Sequence, residues 1–363
     1  MAGKWGSAVL AQGLANRFRS VSIIGLGKNT GKTFTFNYLL RESRRLGLST
    51  AITSIGLDGE ERDTITGRAK PQVVVYPGQI VLTASSLLTA SSLDYEVLAA
   101  TGIASRLGEI IIVRAMGLGR VVLAGPSNRS ELEQLQEKLE PFPHDLLLVD
   151  GAFDRRSLSA PAATDTTILA VGTEAAWDRE DLLGRLKLQW QLLTLSALDN
   201  QQLLSSIETI PNDAKLVVFC GNTPQHIIYH SDSPGTGGSW PTYTEQGIYT
   251  IFVPGMLTDG LLAQVLPKNV PTSLTLLVPD ATHLFLSRRS LDILTHRGVS
   301  LKVLRQVHIS AVTVNPYSSR FGCAEPLSLL QDVGRVVEPV PCYDLNLGLR
   351  YVAKEDADAV SHR

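Results

Sequence analysis

Apolar and polar residues along the chain sort into two alternating patterns. Short runs rich in Val, Ile and Leu recur as VSIIG at 21, STAITSI at 49, PQVVVY at 71, EIIIVRA at 109, RVVLAG at 120, DLLLVD at 145 and TTILAVG at 166. Runs this short and apolar on both faces predict buried parallel strands. Between them, FTFNYLLRESRRLG, SNRSELEQLQEKLE and REDLLGRLKLQWQLLTLSAL repeat their apolar residues three and four apart, the spacing of an amphipathic helix. Strand alternating with helix predicts an α/β domain on a doubly wound, mostly parallel sheet over residues 1–200. The pattern resumes with KLVVFCG, GIYTIFVPG, SLTLLVP, VSLKVLR and AVTVNP, with THLFLSRRSLDILTHRG as an intervening helix. Residues 201–363 are therefore read as a C-terminal α/β unit, either a second domain or an extension of the first sheet. The segment HSDSPGTGGSWPTYTEQG, from 230 to 247, is dense in turn formers and reads as a surface loop.

Composition narrows the function. At 363 residues the chain has room for about two domains with sizeable cores. Its 33 Lys and Arg against 35 Asp and Glu leave a formal charge of −2, which gives no electrostatic basis for binding nucleic acid or an anionic membrane. Cys220, Cys323 and Cys342 are widely spaced with no CxxC pair, so they read as buried structural thiols in a reducing cytoplasm. The first twenty residues lack the apolar stretch of a signal peptide and read as a short lead-in helix. No apolar run reaches the roughly 18 residues of a membrane span. A soluble, cytoplasmic protein is expected.

The stretch GLGKNTGKT, Gly25 to Thr33, lies between a predicted strand and a predicted helix. A dinucleotide fingerprint would need glycine where Thr30 stands. Gly31-Lys32-Thr33 at a helix start fits a nucleotide-phosphate loop instead. Small residues let backbone N–H groups curl around phosphate oxygens, and the helix N-terminus adds donors and a positive dipole end. Lys32 would reach the terminal phosphates, and Thr33 would offer its hydroxyl to Mg²⁺. The residues expected to contact nucleotide are Gly27, Lys28, Asn29, Thr30, Gly31, Lys32, Thr33 and Phe34. The strict pattern places its first glycine where this chain has Leu26, so the loop is one residue longer. In that it resembles the GTDTxxGKT loop of dethiobiotin synthetase and its relatives. Lys28 falls one place from the signature lysine of the ParA and MinD ATPases and is not read as that residue.

Two acidic positions accompany the loop. HDLLLVDG is an apolar strand ending in Asp150, placed to hold Mg²⁺ directly or through water. SIGLDGEERD follows the second strand, and Asp58 within it is the candidate switch residue that touches the ion or orients the attacking water, with Glu60, Glu61 and Asp63 solvated. Arg62, Arg68 and Lys70 are unassigned. No Asn-Lys-x-Asp stretch marks guanine recognition, so ATP is the expected nucleotide. His226 and His230 lack the Glu of a HExxH metal site. No Gly-x-Ser-x-Gly elbow or Cys/His nucleophile pair is present.

With SIGLDGE, EIIIVRAMGLGRVVLAGPS, LLLVDGAFDRRS, AVTVNPYSSRFG and VPCYDL added to the loop, the chain resembles the P-loop subunit of the lysine aminomutase reactivases, SIMIBI-type P-loop NTPases. The resemblance implies an ATPase that serves a cobalamin- and pyridoxal-phosphate-dependent aminomutase. Nucleotide hydrolysis would drive exchange of damaged cobalamin beside a companion ATPase subunit. It carries over Gly31, Lys32, Thr33 and Asp150 for Mg-nucleotide, Asp58 as switch, and Asp154, Arg155 and Arg156 as a second switch loop. Self-association into a homodimer is left open. The competing readings are an ATP-dependent synthetase of the dethiobiotin or cobyrinic acid diamide type, for which Asn315, Asp259 and Asp280 are the available polar anchors, and a binding scaffold without hydrolysis.

Overall fold

The computed structural model describes residues 2–4, 8–55, 72–151, 163–176, 178–211, 213–229, 247–319 and 322–351. The chain divides into two compact units, one formed by Met1–Lys187 with His308–Arg363 and the other by Leu188–Val307. The expected boundary near residue 200 is corrected by this division: the second unit is an insertion, and the chain returns to the first. The strand Ile309–Asn315, the AVTVNP run, pairs in parallel with Thr166–Gly172 rather than with the strands that precede it in sequence.

The first unit is α/β with a large, mostly parallel sheet. In spatial order its eleven described strands are Ala2–Lys4, Leu349–Tyr351, Cys342–Asp344, Ile309–Asn315, Thr166–Gly172, Ser20–Gly25, Leu146–Gly151, Thr50–Ile55, Ile80–Ala84, Gly108–Ala115 and Tyr95–Ser105. Those from Cys342–Asp344 to Ile80–Ala84 run parallel. The two outermost at each end run antiparallel. Side chains alternate between faces as a half-turn period demands. Leu146 and Leu148 join Ile23, Ile52, Phe36 and Leu39 in one core, while Leu147 and Val149 join Ala51, Leu82, Leu132 and Leu135 in another. Both faces are thus covered by helices, which is why the central strands are apolar throughout. Each such Leu or Ile contributes on the order of 1.5–3 kcal/mol.

EIIIVRA was expected to be parallel, and here the structure corrects the reading. Gly108–Ala115 forms a hairpin with Tyr95–Ser105, closed by Gly108 at φ 104°, and pairs antiparallel with Ile80–Ala84. PQVVVY and RVVLAG supply only Val73–Val75 and Gly119–Val121, a separate two-stranded ribbon. The helix Lys32–Arg45 ends where RRLG predicts. Gly47 takes φ 72°, its N–H donates to Arg44 O at 3.0 Å, and the Leu48 N–H donates to Ser43 O at 2.9 Å.

The second unit has a sheet ordered Thr223–Tyr229, Ala214–Cys220, Ile248–Phe252, Ser273–Asp280, Ser300–Arg305, the last three parallel. Two clusters, one around Val218, Ile251 and Leu276 and one around Phe219, Phe252 and Leu277, fill its two faces. Residues 230–246 of the expected surface loop lie outside the described residues. Among the described residues no helix is long and apolar enough to cross a membrane.

Candidate functional site

Ser20–Gly25 is buried along its whole length between Thr166–Gly172 and Leu146–Gly151, and delivers the glycine-rich loop to the C-terminal edge of the parallel strands. That edge is where α/β sheets bind ligands. The Leu26 N–H still donates to Ala170 O at 2.9 Å, and the backbone then turns sharply. Asn29, at φ 57°, is the one positive-φ residue other than glycine among the described residues, and Gly31 follows at φ 99°. Asparagine tolerates the left-handed region better than most residues, and glycine accepts it freely. Thr30, buried between them, donates its hydroxyl to Gly27 O at 3.1 Å and so closes the loop on itself.

Several contacts fix this shape. A Cβ on Gly25 would lie 2.4 Å from Thr30 Oγ1 and 2.9 Å from Lys32 Cγ. One on Gly31 would lie 3.0 Å from Asn315 Cβ, and one on Gly172 would lie 2.7 Å from Thr30 Cα. The loop therefore rests on two neighbouring strand ends, Gly172 and Asn315. Those ends are tied together beyond it. Glu174 accepts the Ser318 hydroxyl at 2.5 Å and the Ser319 N–H at 2.8 Å, and Thr173 donates to Pro316 O at 3.1 Å.

The helix Lys32–Arg45 starts from Gly31 with no side-chain cap and no acidic residue in its first turn. By contrast, the helices that begin at Arg129, Gln201, Arg288 and Pro326 are capped by the side chains of Asn128, Asn200, Ser287 and Glu325. First-turn N–H groups have no intrahelical acceptor, so those of Lys32, Thr33 and Phe34 end the loop as a row of donors at the positive end of the dipole. Lys32 and Thr33 are half-buried. The Phe34 side chain is 49% exposed, so its contribution to a ligand is its backbone.

Asp150 is half-buried at the end of Leu146–Gly151, in register with Ile23 on one side and Ser54 on the other. By alternation it shares the face of Ile23 and Leu148, the face on which Lys32–Arg45 packs. The loop lysine, the threonine and this carboxylate thus belong to one end and one face of the sheet. Asp58, Glu60, Glu61, Arg62, Asp63, Arg68 and Lys70 lie outside the described residues, as do Asp154, Arg155, Arg156, His230 and the side chain of His226.

Sequence reasoning missed three positions. Gly172, read as the end of a strand, is the floor of the loop. Ser54 accepts the Gly125 N–H at 3.0 Å, and a Cβ on Gly125 would lie 1.8 Å from Ser54 O. The Ala124–Gly125 segment is therefore an arm laid across the strand end beside Asp150, held also by Ala124 N–H to Thr83 Oγ1 at 2.9 Å. A glycine directly after an apolar run was the available signal in both cases. Of the other polar anchors, Asn315 reaches the loop, while Asp259 and Asp280 belong to the second unit. There Asp259 accepts the Ser287 N–H at 2.9 Å, and Asp280 accepts the Thr282 N–H at 2.9 Å and faces His283 Nδ1 at 3.1 Å. The expectation of three buried thiols is corrected at Cys323, which is exposed; Cys220 is half-buried, and burial pushes the Cys342 thiol well above its usual range. A shallow depression lined by Arg179, Leu183, Lys187 and Asp332 includes none of the loop residues.

No protein-family model, curated protein or solved structure matches the chain.

Proposed function

We propose that the chain is an ATP-binding and ATP-hydrolysing switch protein that uses Mg²⁺. The observation that carries this reading is the curled Gly25–Gly31 loop running into an uncapped helix, with Asp150 on the same face one strand away. A loop in which Gly25 and Gly31 are too closely packed for Cβ atoms brings its backbone donors close to a ligand, and the donor row and dipole select an anion. Lys32 binds the terminal phosphates, the Thr33 hydroxyl and the Asp150 carboxylate hold the ion, and Asp58 serves as the switch. Among the described residues no three His, Cys, Asp or Glu side chains form a metal cluster, which suits an ion that takes most of its ligands from phosphate and water. Bound there, Mg²⁺ neutralises charge that develops on the phosphates.

The finer reading rests on the resemblance: the partner remodelled is a cobalamin-dependent aminomutase, reactivated by exchange of damaged cobalamin together with a companion ATPase subunit. Calorimetric titration with Mg-ATP tests the site. Lys32→Ala removes a charge-assisted contact that contributes on the order of 1.5–3 kcal/mol, so affinity is expected to fall roughly 10- to 100-fold. Unchanged affinity in a folded variant makes the loop a turn and nothing more. The partner is tested by adding the protein, its companion subunit, adenosylcobalamin and Mg-ATP to a turnover-inactivated aminomutase. Recovery that is the same with Lys32→Ala, or with the protein omitted, removes the reactivase and returns the synthetase reading.

A further inference from the structure

Single exposed apolar side chains are common on protein surfaces, and it is position that makes one informative. Among the described residues two aromatic side chains are exposed, Phe34 and Tyr317, and both adjoin the phosphate loop. Phe34 is the third residue of the helix that follows the loop. Tyr317, 60% exposed, comes two residues after Asn315, whose Cβ closes the space beside Gly31.

Direction separates the two. Asp150 ends the strand on one side of the loop strand, whereas Thr166–Gly172 and then Ile309–Asn315 lie on the other. A terminal phosphate drawn toward an ion at Asp150 leaves the sugar and base to extend the opposite way, across the strand ends at Gly172 and Asn315. The Asn315 strand is two strand spacings, about 10 Å, from the loop strand, within reach of a nucleoside whose phosphates occupy the loop. Tyr317 follows at that place.

The ring is firmly mounted. The Tyr317 N–H donates to Asn315 Oδ1 at 3.2 Å, and Tyr317–Ser318 pairs antiparallel with Gly322–Cys323. Ser318 is buried, and Glu174 accepts its hydroxyl together with the N–H and the hydroxyl of Ser319. The ribbon is thus anchored through Ser318 and presents the adjacent ring to solvent. A platform fixed before binding loses little entropy when a flat ligand settles on it.

We infer that Tyr317 is the stacking platform for the base of the bound nucleotide, an inference that rests on the phosphate-loop reading given above. Every base offers a π face, so a stack of this kind adds affinity without fixing which base is bound, in keeping with a chain that has no Asn-Lys-x-Asp stretch.

The test is calorimetric titration of the full chain with Mg-ATP and, separately, with Mg-tripolyphosphate, which keeps the phosphates and lacks the base; circular dichroism checks folding. Tyr317→Ala is expected to lower the ratio of ATP affinity to tripolyphosphate affinity roughly 5- to 100-fold, the range for losing one base–aromatic stack. Tyr317→Phe keeps the ring and is expected to hold the ratio within a few-fold of wild type. Lys32→Ala, by contrast, is expected to weaken both ligands. An unchanged ratio in Tyr317→Ala overturns the platform and leaves the phosphate loop standing. Equal losses for ATP and tripolyphosphate do the same, because they would make the ribbon a support of the loop. A ratio that falls as far in Tyr317→Phe as in Tyr317→Ala also overturns it. A wild-type chain that binds neither ligand removes the phosphate-loop reading and this inference together.

Discussion

At the scale of single residues, the same change, glycine to alanine, has opposite consequences at two places in this chain. Gly172 does not belong to the loop, yet a Cβ there would sit 2.7 Å from Thr30 Cα and 2.8 Å from Thr30 O, against backbone that cannot rotate away. Gly172→Ala is expected to destabilise the protein by about 1–3 kcal/mol, the range for overpacking, and to lower Mg-ATP affinity through a displaced loop. Gly184, exposed within the helix Arg179–Leu193, has nothing within 4 Å of its would-be Cβ. Gly184→Ala is expected to stabilise by about 0.5–1 kcal/mol, since alanine costs less backbone entropy in a helix. Urea unfolding of both variants measures the two signs, and equal effects at the two sites would contradict the packing described for the loop. The loop itself was legible in the sequence because Gly-Lys-Thr after an apolar run is local information. The role of Gly172 was not, nor was the contact of Asn315 with Gly31, because both reach the loop from strands more than a hundred residues away in sequence.

Elements were legible where their signals are local, and the helix Arg129–Leu139 shows how much local chemistry can specify. Asn128 Oδ1 accepts the Glu131 N–H at 3.0 Å, and Glu131 Oε2 reaches back past the cap to accept the Ser127 N–H at 2.8 Å, so two donors at the helix start are satisfied by side chains. Asn128→Ala is expected to cost about 1 kcal/mol by thermal or urea unfolding, while Asn128→Ser costs less than half of that. A cost for serine equal to that for alanine would show that the cap does not act through its hydrogen bond. Strands were read less well. Ile80–Ala84 is five residues long and runs directly into the helix Ser85–Thr89, so its apolar run merges with SSLL. Tyr95–Ser105 is rich in alanine, interrupted by Gly102 and bulged, so it has neither a β-branched run nor clean alternation. Direction was legible only where a helix intervenes. A hairpin as tight as Ser105–Gly108 reverses the chain with no more warning than one glycine.

The whole molecule holds the largest difference between pattern and structure, and its cause is physical. Apolar runs announce strands but do not name their partners, so AVTVNP read as a continuation of the strands before it. In the structure Ile309–Asn315 instead completes the bed of the loop, with Thr313 Oγ1 2.9 Å from Thr35 Oγ1 in the helix that follows the loop. The span between, Leu188–Val307, is by its bounds 120 residues, an ordinary size for a domain. It owns its core: the clusters around Ile251 and Leu277 draw every member from within those bounds. Its ends also meet. The Leu198 N–H donates to Val303 O at 2.8 Å and the Val303 N–H donates to Ser196 O at 3.3 Å, so entering and leaving segments are laced together. A segment with its own core and adjoining ends satisfies the conditions for folding alone and for tolerated insertion. Residues 188–307 expressed by themselves are therefore expected to unfold in urea as one cooperative transition with native-like far-ultraviolet circular dichroism. Joining Lys187 to His308 through a short glycine-serine linker is expected to leave a first unit that retains Mg-ATP affinity within a few-fold, because no loop-contacting residue is removed. An isolated span that lacks a cooperative transition would show that its core needs the rest of the chain. A linked first unit that folds but no longer binds nucleotide would place part of the site in the insertion.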